Sequence, residues 1–131
     1  MQMNNKKIGT EFENEFVDML AKAGYWVHFI SPDRTGSQPF DIIAVKSGKA
    51  YAFDCKTCES DRFNISRLED NQIMAFEKWI RCGNIDPIIA IKYKGAVKFC
   101  PYNSLKIFKS VKVADLSTVY LLEGYHDKTC I

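Results

Sequence analysis

The chain lacks any apolar run approaching the ~20 residues needed to cross a bilayer, so no membrane-spanning segment is expected and a soluble protein is. It also lacks a secretory signal, and its five cysteines are an odd number that leaves one outside any closed disulfide framework. A reducing, cytoplasmic compartment is the expectation. Charge of one sign is not in excess either, because 18 basic and 16 acidic residues leave a net +2. A nucleic-acid surface must therefore come from segregating the charges, and Lys92, Lys94, Lys98, Lys106, Lys109 and Lys112 do crowd the last third. No linker or repeat divides the sequence, so a single domain over residues 1–131 is expected. What is present is globular: 47% hydrophobic and 13% aromatic residues exceed what disordered chains carry.

Periodicity organises the chain. Over residues 8–23, Ile8, Phe12, Phe16, Met19, Leu20 and Ala23 recur at three- and four-residue spacing, an amphipathic helix stopped by Gly24. Residues 25–30 are aromatic and β-branched and predict a strand, followed by a loop over 31–38. Residues 41–45 and 50–57 form a hairpin about the turn at 46–49. After a polar stretch, residues 68–82 have helical spacing and stop at Gly83. Strands are expected over 87–93 and 96–100 and a short helix over 103–110, while 111–124 fit helix or strand equally. This order predicts an α/β fold, a mixed central sheet flanked by helices.

Within the hairpin, Asp41 opens one strand, and Asp54-Cys55-Lys56 lies in the next, thirteen positions later. Side chains at i and i+2 share a strand face, so Asp54 and Lys56 project together and Cys55 turns away. Two carboxylates and a lysine on one face suit phosphodiester hydrolysis, which needs a placed water and neutralisation of developing charge. Magnesium takes hard oxygen ligands and is usually held by one or two carboxylates, which Asp41 and Asp54 supply, with the backbone carbonyl of Cys55. Lys56 would orient the nucleophile, offset phosphate charge, or accept a proton if near-neutral. An ordinary surface ion pair fits the same spacing.

Pro39-Phe40-Asp41 with Asp54-Cys55-Lys56 resembles the two half-motifs of the PD-(D/E)XK nuclease superfamily, with Phe40 inserted into the usual Pro-Asp. Residues 8–13, Ile-Gly-Thr-Glu-Phe-Glu, resemble the first-helix glycine and glutamate of Holliday junction resolvases. Residues 63–65 through 71–74 resemble the segment entering the next helix in RecU-type resolvases, where a glutamine reaches the active site. The likeness covers about residues 7–74. The long RecU insertion has no counterpart, which makes a compact archaeal-type or phage resolvase the nearer analogue.

The resemblance implies a restriction-endonuclease-like fold and a metal-dependent endonuclease of branched DNA, with Mg2+ as cofactor and Mn2+ as substitute. It assigns Glu13, Asp41 and Asp54 as metal-site acids, Lys56 as catalytic lysine and Gln72 as supporting group. Glu11 is the fallback acid; it lies two residues from Glu13, about 200° round a helix, so the two do not serve one metal. Arg34, Ser37, Arg62 and Arg67 are the candidate DNA contacts, Ser37 by likeness to a loop serine of archaeal-type resolvases. A twofold homodimer is implied, since two strands are cut symmetrically. Ordinary duplex DNA is the alternative substrate, and a non-catalytic DNA-binding module the alternative class.

Other constellations weigh less. Cys55-x-x-Cys58 has a zinc-like spacing but no second pair, and Cys55 in a strand serves as a small hydrophobe. His28 and His126 are too distant in sequence for a local metal motif, and His28 is expected to pack. Trp26, Phe29, Phe76 and Trp79 are able to stack on bases, yet their periodic positions favour core packing.

Overall fold

The computed structural model describes residues 5–30 and 38–118, with side chains of the first helix described from Gly9 onward. Helix α1 (Asn5–Lys22) is followed by β1 (Trp26–Phe29), β2 (Ile42–Lys46), β3 (Lys49–Thr57) and β4 (Arg62–Asn64). Then come α2 (Asp70–Arg81), β5 (Ile88–Tyr93), β6 (Ala96–Pro101), α3 (Tyr102–Phe108) and β7 (Ser110–Lys112). Five strands make one sheet in the order β1-β2-β3-β5-β6; β3 and β5 are parallel and the other neighbours antiparallel. The expected mixed α/β sheet is thus observed. The parallel pair follows from α2, which carries the chain across between β3 and β5 where a tight turn would have reversed it.

Two tight turns set the hairpin registers. Ser47-Gly48 and Lys94-Gly95 all have positive φ, the backbone that continues the right-handed twist of paired strands. Ser47 and Lys94 adopt it without being glycine, with φ of 54° and 47°. The turn at 47–48 fixes Ile42 opposite Phe53 and Ala44 opposite Tyr51.

That register divides the strands between two apolar clusters. On one face Phe12, Phe16 and Leu20 of α1 pack on Ile42, Ala44, Tyr51, Phe53, Ala90 and Phe99, with Phe16 edge-on to Phe53 at 5.0 Å. On the other, Phe76 of α2 and Tyr102 and Leu105 of α3 cover Ala52, Ile89, Ile91 and Cys100. Alternation along each strand supplies both clusters at once.

The structure departs from expectation in four places. The polar stretch after β3 contains β4, which pairs antiparallel with β7 and buries Phe63; one apolar residue among three left no periodicity to read. Leu68 is buried but precedes α2, whose N-cap is Glu69. The ambiguous segment begins as β7 and a 3-10 turn at Val113–Asp115, and its residues beyond 118 lie outside those described. Trp26 and His28 are exposed rather than packed, because no described helix covers that face of the β1 edge strand.

Candidate active site

Asp41 sits immediately before β2, where its backbone is held on both sides. Its N–H donates to the Phe53 carbonyl at 3.0 Å, and its carbonyl accepts from Ile30 N–H at 2.8 Å. Its side chain is equally constrained: Oδ1 accepts from Gln38 Nε2 and Oδ2 from the Cys55 N–H, both at 2.7 Å. The preceding Phe40 explains the residue inserted between proline and acid. Its ring stacks on Phe76 at 5.5 Å and meets the edge of Trp79 at 5.3 Å, tying the entry of β2 to α2.

Asp54, one strand over, is 1% exposed, an unusual place for a carboxylate. Its Oδ1 accepts from Gln72 Nε2 at 2.6 Å. Gln72 is oriented in turn by its own Oε1, which accepts from the Glu69 N–H at 3.0 Å and caps the first turn of α2. One amide therefore both starts a helix and holds an acid. Lys56 Nζ lies 3.3 Å from Asp54 Oδ2, within ion-pair reach but without hydrogen-bond alignment, so this buried oxygen has no hydrogen-bond partner.

From the opposite face of the sheet α1 contributes Glu13, half-buried and near enough to Asp41 to feel its charge. Burial first, then Asp41, raises the Glu13 carboxyl to about 7, with Lys56 pulling the other way. Burial and the charge of Asp41 likewise lift Asp54 well above the usual carboxylate range against the opposing pull of Lys56. Glu11 is exposed, and Glu15 pairs with Lys92 at 2.6 Å, so Glu13 is the acid of α1 that faces the strand acids.

Three acids against one lysine leave excess negative charge in a poorly solvated place, a donor set that fits a divalent cation. Among the described residues, no three acidic, histidine or cysteine side chains already enclose a metal position. Magnesium does not require that, since one or two carboxylates suffice and water and substrate oxygens complete the octahedron. The hydrogen-bond-free Oδ2 of Asp54 is the atom such an ion would take first.

Comparison with known proteins places the chain in a family. The sequence model of the archaeal Holliday junction resolvase (Hjc) family matches residues 4–122. The chain belongs to that family. The crossover junction endodeoxyribonuclease Hjc of Methanocaldococcus jannaschii is 32% identical over 91 residues, which are 70% of this chain and 63% of that protein. The chain thus spans somewhat under two thirds of that relative's length. The Holliday junction resolvase Hjc of Archaeoglobus fulgidus shares the fold, with a TM-score of 0.67 over 88% of this chain and 98% of that one at 18% identity.

The Hjc-family chain thus gathers Glu13, Asp41, Asp54, Lys56 and Gln72 at one end of β2 and β3. The two described arginines expected at DNA make contacts with other groups. Arg62 donates to Ser110 through Nε at 2.9 Å, and Arg67 donates to the Thr57 carbonyl at 2.9 Å while lying over the Phe63 ring. Arg34 and Ser37 lie outside the described residues. Cys55 turns to the α1 face as a small apolar residue and burial pushes its thiol up, while Cys58 Sγ donates to the Ser60 carbonyl at 3.3 Å. Gln38 is the site residue that sequence reasoning missed: it ends a loop with no periodicity, and only the folded chain brings it to Asp41.

Proposed function

We propose that this chain is a metal-dependent, structure-selective endonuclease that hydrolyses phosphodiester bonds in branched DNA during recombination or repair. The names of its relatives suggest the substrate; the observation that carries the chemistry is Asp54. Holding a carboxylate at 1% exposure beside a second acid opposes folding, so a merely structural site has no use for it. Glu13, Asp41, Asp54 and the Cys55 backbone carbonyl would hold Mg2+, with Mn2+ as substitute. When bound, such an ion supplies Lewis-acid neutralisation and lowers the pKa of water.

The residues themselves divide the remaining work. Gln38 and the Cys55 amide fix the two oxygens of Asp41, and Gln72 fixes one oxygen of Asp54 and leaves the other for the ion. Lys56, 3.3 Å from Asp54, would offer its ammonium to offset phosphate charge or to orient the attacking water. Glu13, whose carboxyl burial and the charge of Asp41 raise to about 7 without a metal, would be drawn into its charged form by the cation it helps to hold. Two strands require two such sites, and Met74 on α2 with Ile107 and Phe108 on α3 provide exposed apolar surface for a twofold dimer in the cytoplasm of a bacterial or phage-infected cell.

The test uses labelled four-way junction and linear duplex of matched sequence with Mg2+. Paired symmetric nicks confined to the junction are expected, and efficient cutting of linear duplex at defined sequences would overturn branch selectivity. Asp54→Asn should bind the junction without cutting it, and full activity in that variant would reject the assigned site.

A further inference from the structure

Of the four aromatic residues weighed for base stacking, three pack inward. Phe76 and Trp79 close on Phe40, Trp79 also donates Nε1–H to the Ile85 carbonyl at 2.9 Å, and Phe29 packs against the α1 cluster. Trp26 does the opposite. It is 63% exposed on the edge strand β1, its ring parallel to that of exposed His28 within 6° at a centroid distance of 6.0 Å.

Register shows which way this pair faces. Trp26 lies opposite Val45 and His28 opposite Ile43, and cross-strand partners share a sheet face. Ile43 and Ala52 belong to the α2-side cluster, the side of the sheet on which Asp41, Asp54 and Lys56 lie by alternation. The strand then runs to Ile30, whose N–H is bonded to the Asp41 carbonyl. Four residues of strand span about 13 Å, so Trp26 stands about four base steps of 3.4 Å from the metal acids along the same face.

We propose that Trp26, backed by His28, is a specificity-determining platform that stacks on a base or terminal base pair exposed at the branch point of the DNA. A continuous duplex shows no aromatic faces outside its stack, and opening it costs a few kcal/mol. At a branch the stacks are already interrupted, so the same ring gains contact there without that cost. The inference rests on the endonuclease reading above. A second copy of the chain is the weaker occupant. A standard interface covers about 800 Å2 per partner, whereas Trp26 and Val45 are the only exposed large apolar side chains on strands of the sheet among the described residues.

The experiment compares the full chain with Trp26→Ala and Trp26→Phe, measuring affinity for four-way junction and linear duplex, tryptophan emission on binding, and sedimentation. Trp26→Ala should weaken junction binding roughly 5- to 150-fold with little change for duplex, while Trp26→Phe retains most of the affinity. Junction-induced quenching seen in the wild type should be lost in Trp26→Ala. Junction affinity of Trp26→Ala within twofold of wild type overturns the platform, as does an affinity loss tracking dissociation of a dimer. Wild type that cuts junctions alongside a Trp26→Ala variant that binds normally overturns the platform alone. Junction binding that depends on Trp26 in a chain that never cuts upholds the platform and removes the endonuclease reading.

Discussion

The two faces of β3 differ in how they tolerate their contents. Toward α1 the strand presents Tyr51, Phe53 and Cys55 to a dry aromatic cluster in which Phe53 meets Phe16 edge-on. Toward α2 it presents Ala52, Asp54 and Lys56, and there a buried carboxylate is held by one amide and one unaligned ammonium. The first face stabilises the fold through burial, at roughly 25 cal/mol per Å2 of apolar surface. The second opposes it through desolvated, repelling acids and depends on the first. Because strand alternation has period two, a one-residue slip would exchange the two sets, and the 47–48 turn prevents that slip.

The sharpest break removes charge from the second face alone. Asp54→Asn should lower cleavage about a thousandfold or more, by analogy with loss of a transition-state contact. The same variant should raise the melting temperature at pH 8 without metal and leave it nearly unchanged below about pH 3, where the wild-type acid is largely protonated in both states. Equal melting at pH 8 would show that the acid does not oppose folding.

Breaking the first face should reverse that pattern. Phe53→Ala should cost roughly 3–5 kcal/mol in denaturant unfolding and lose activity only as the fold is lost. Residual folded protein with full specific activity at low temperature is the expected control result; inactive but fully folded protein would show that the two faces are not separable.

A smaller effect probes the joint between the faces and α2. Gln72→Ala removes the donor to Asp54 and the acceptor that caps α2, and should cost about 1–3 kcal/mol of stability with a 10- to 100-fold fall in cleavage. Gln72→Glu keeps the capping oxygen but sets another carboxylate against Asp54, so it should keep more helix than activity.

Finally, pH should tilt the comparison without any mutation. The Glu13 carboxyl is raised from 4.5 to about 7, so the folded chain binds more protons than the unfolded one across that window. The contribution of Glu13 to stability is then greatest near or below pH 4.5 and falls as pH rises toward 7, with Asp54 acting in the same direction. In chelator the melting temperature should drop from pH 5 to pH 8, and Mg2+ should restore it mainly at pH 8. A flat profile unaffected by Mg2+ would contradict the acid cluster.

Much of this arrangement was legible from periodicity and residue type. The spacing of Phe12, Phe16 and Leu20 marked the buried stripe of α1, and Asp54-Cys55-Lys56 carried its own alternation. Gln38 and β4 were not legible, since each depends on a partner far along the chain and neither belongs to a repeating pattern. Trp26 shows the limit from the other side: its aromatic, β-rich surroundings read as core, but an edge strand has a face that nothing in the local sequence can cover or leave bare.

By itself, then, the sequence determined what is local: which residues turn, which share a strand face, and that two acids and a lysine would emerge on one side of a hairpin. Tertiary structure alone decided the rest. It brought Glu13 from one layer and Gln72 from the other to those strands, buried Asp54 and left Trp26 in water. The reason is that burial and electrostatic coupling depend on distances between segments, and those distances are set by packing of whole layers rather than by any residue's neighbours in the chain.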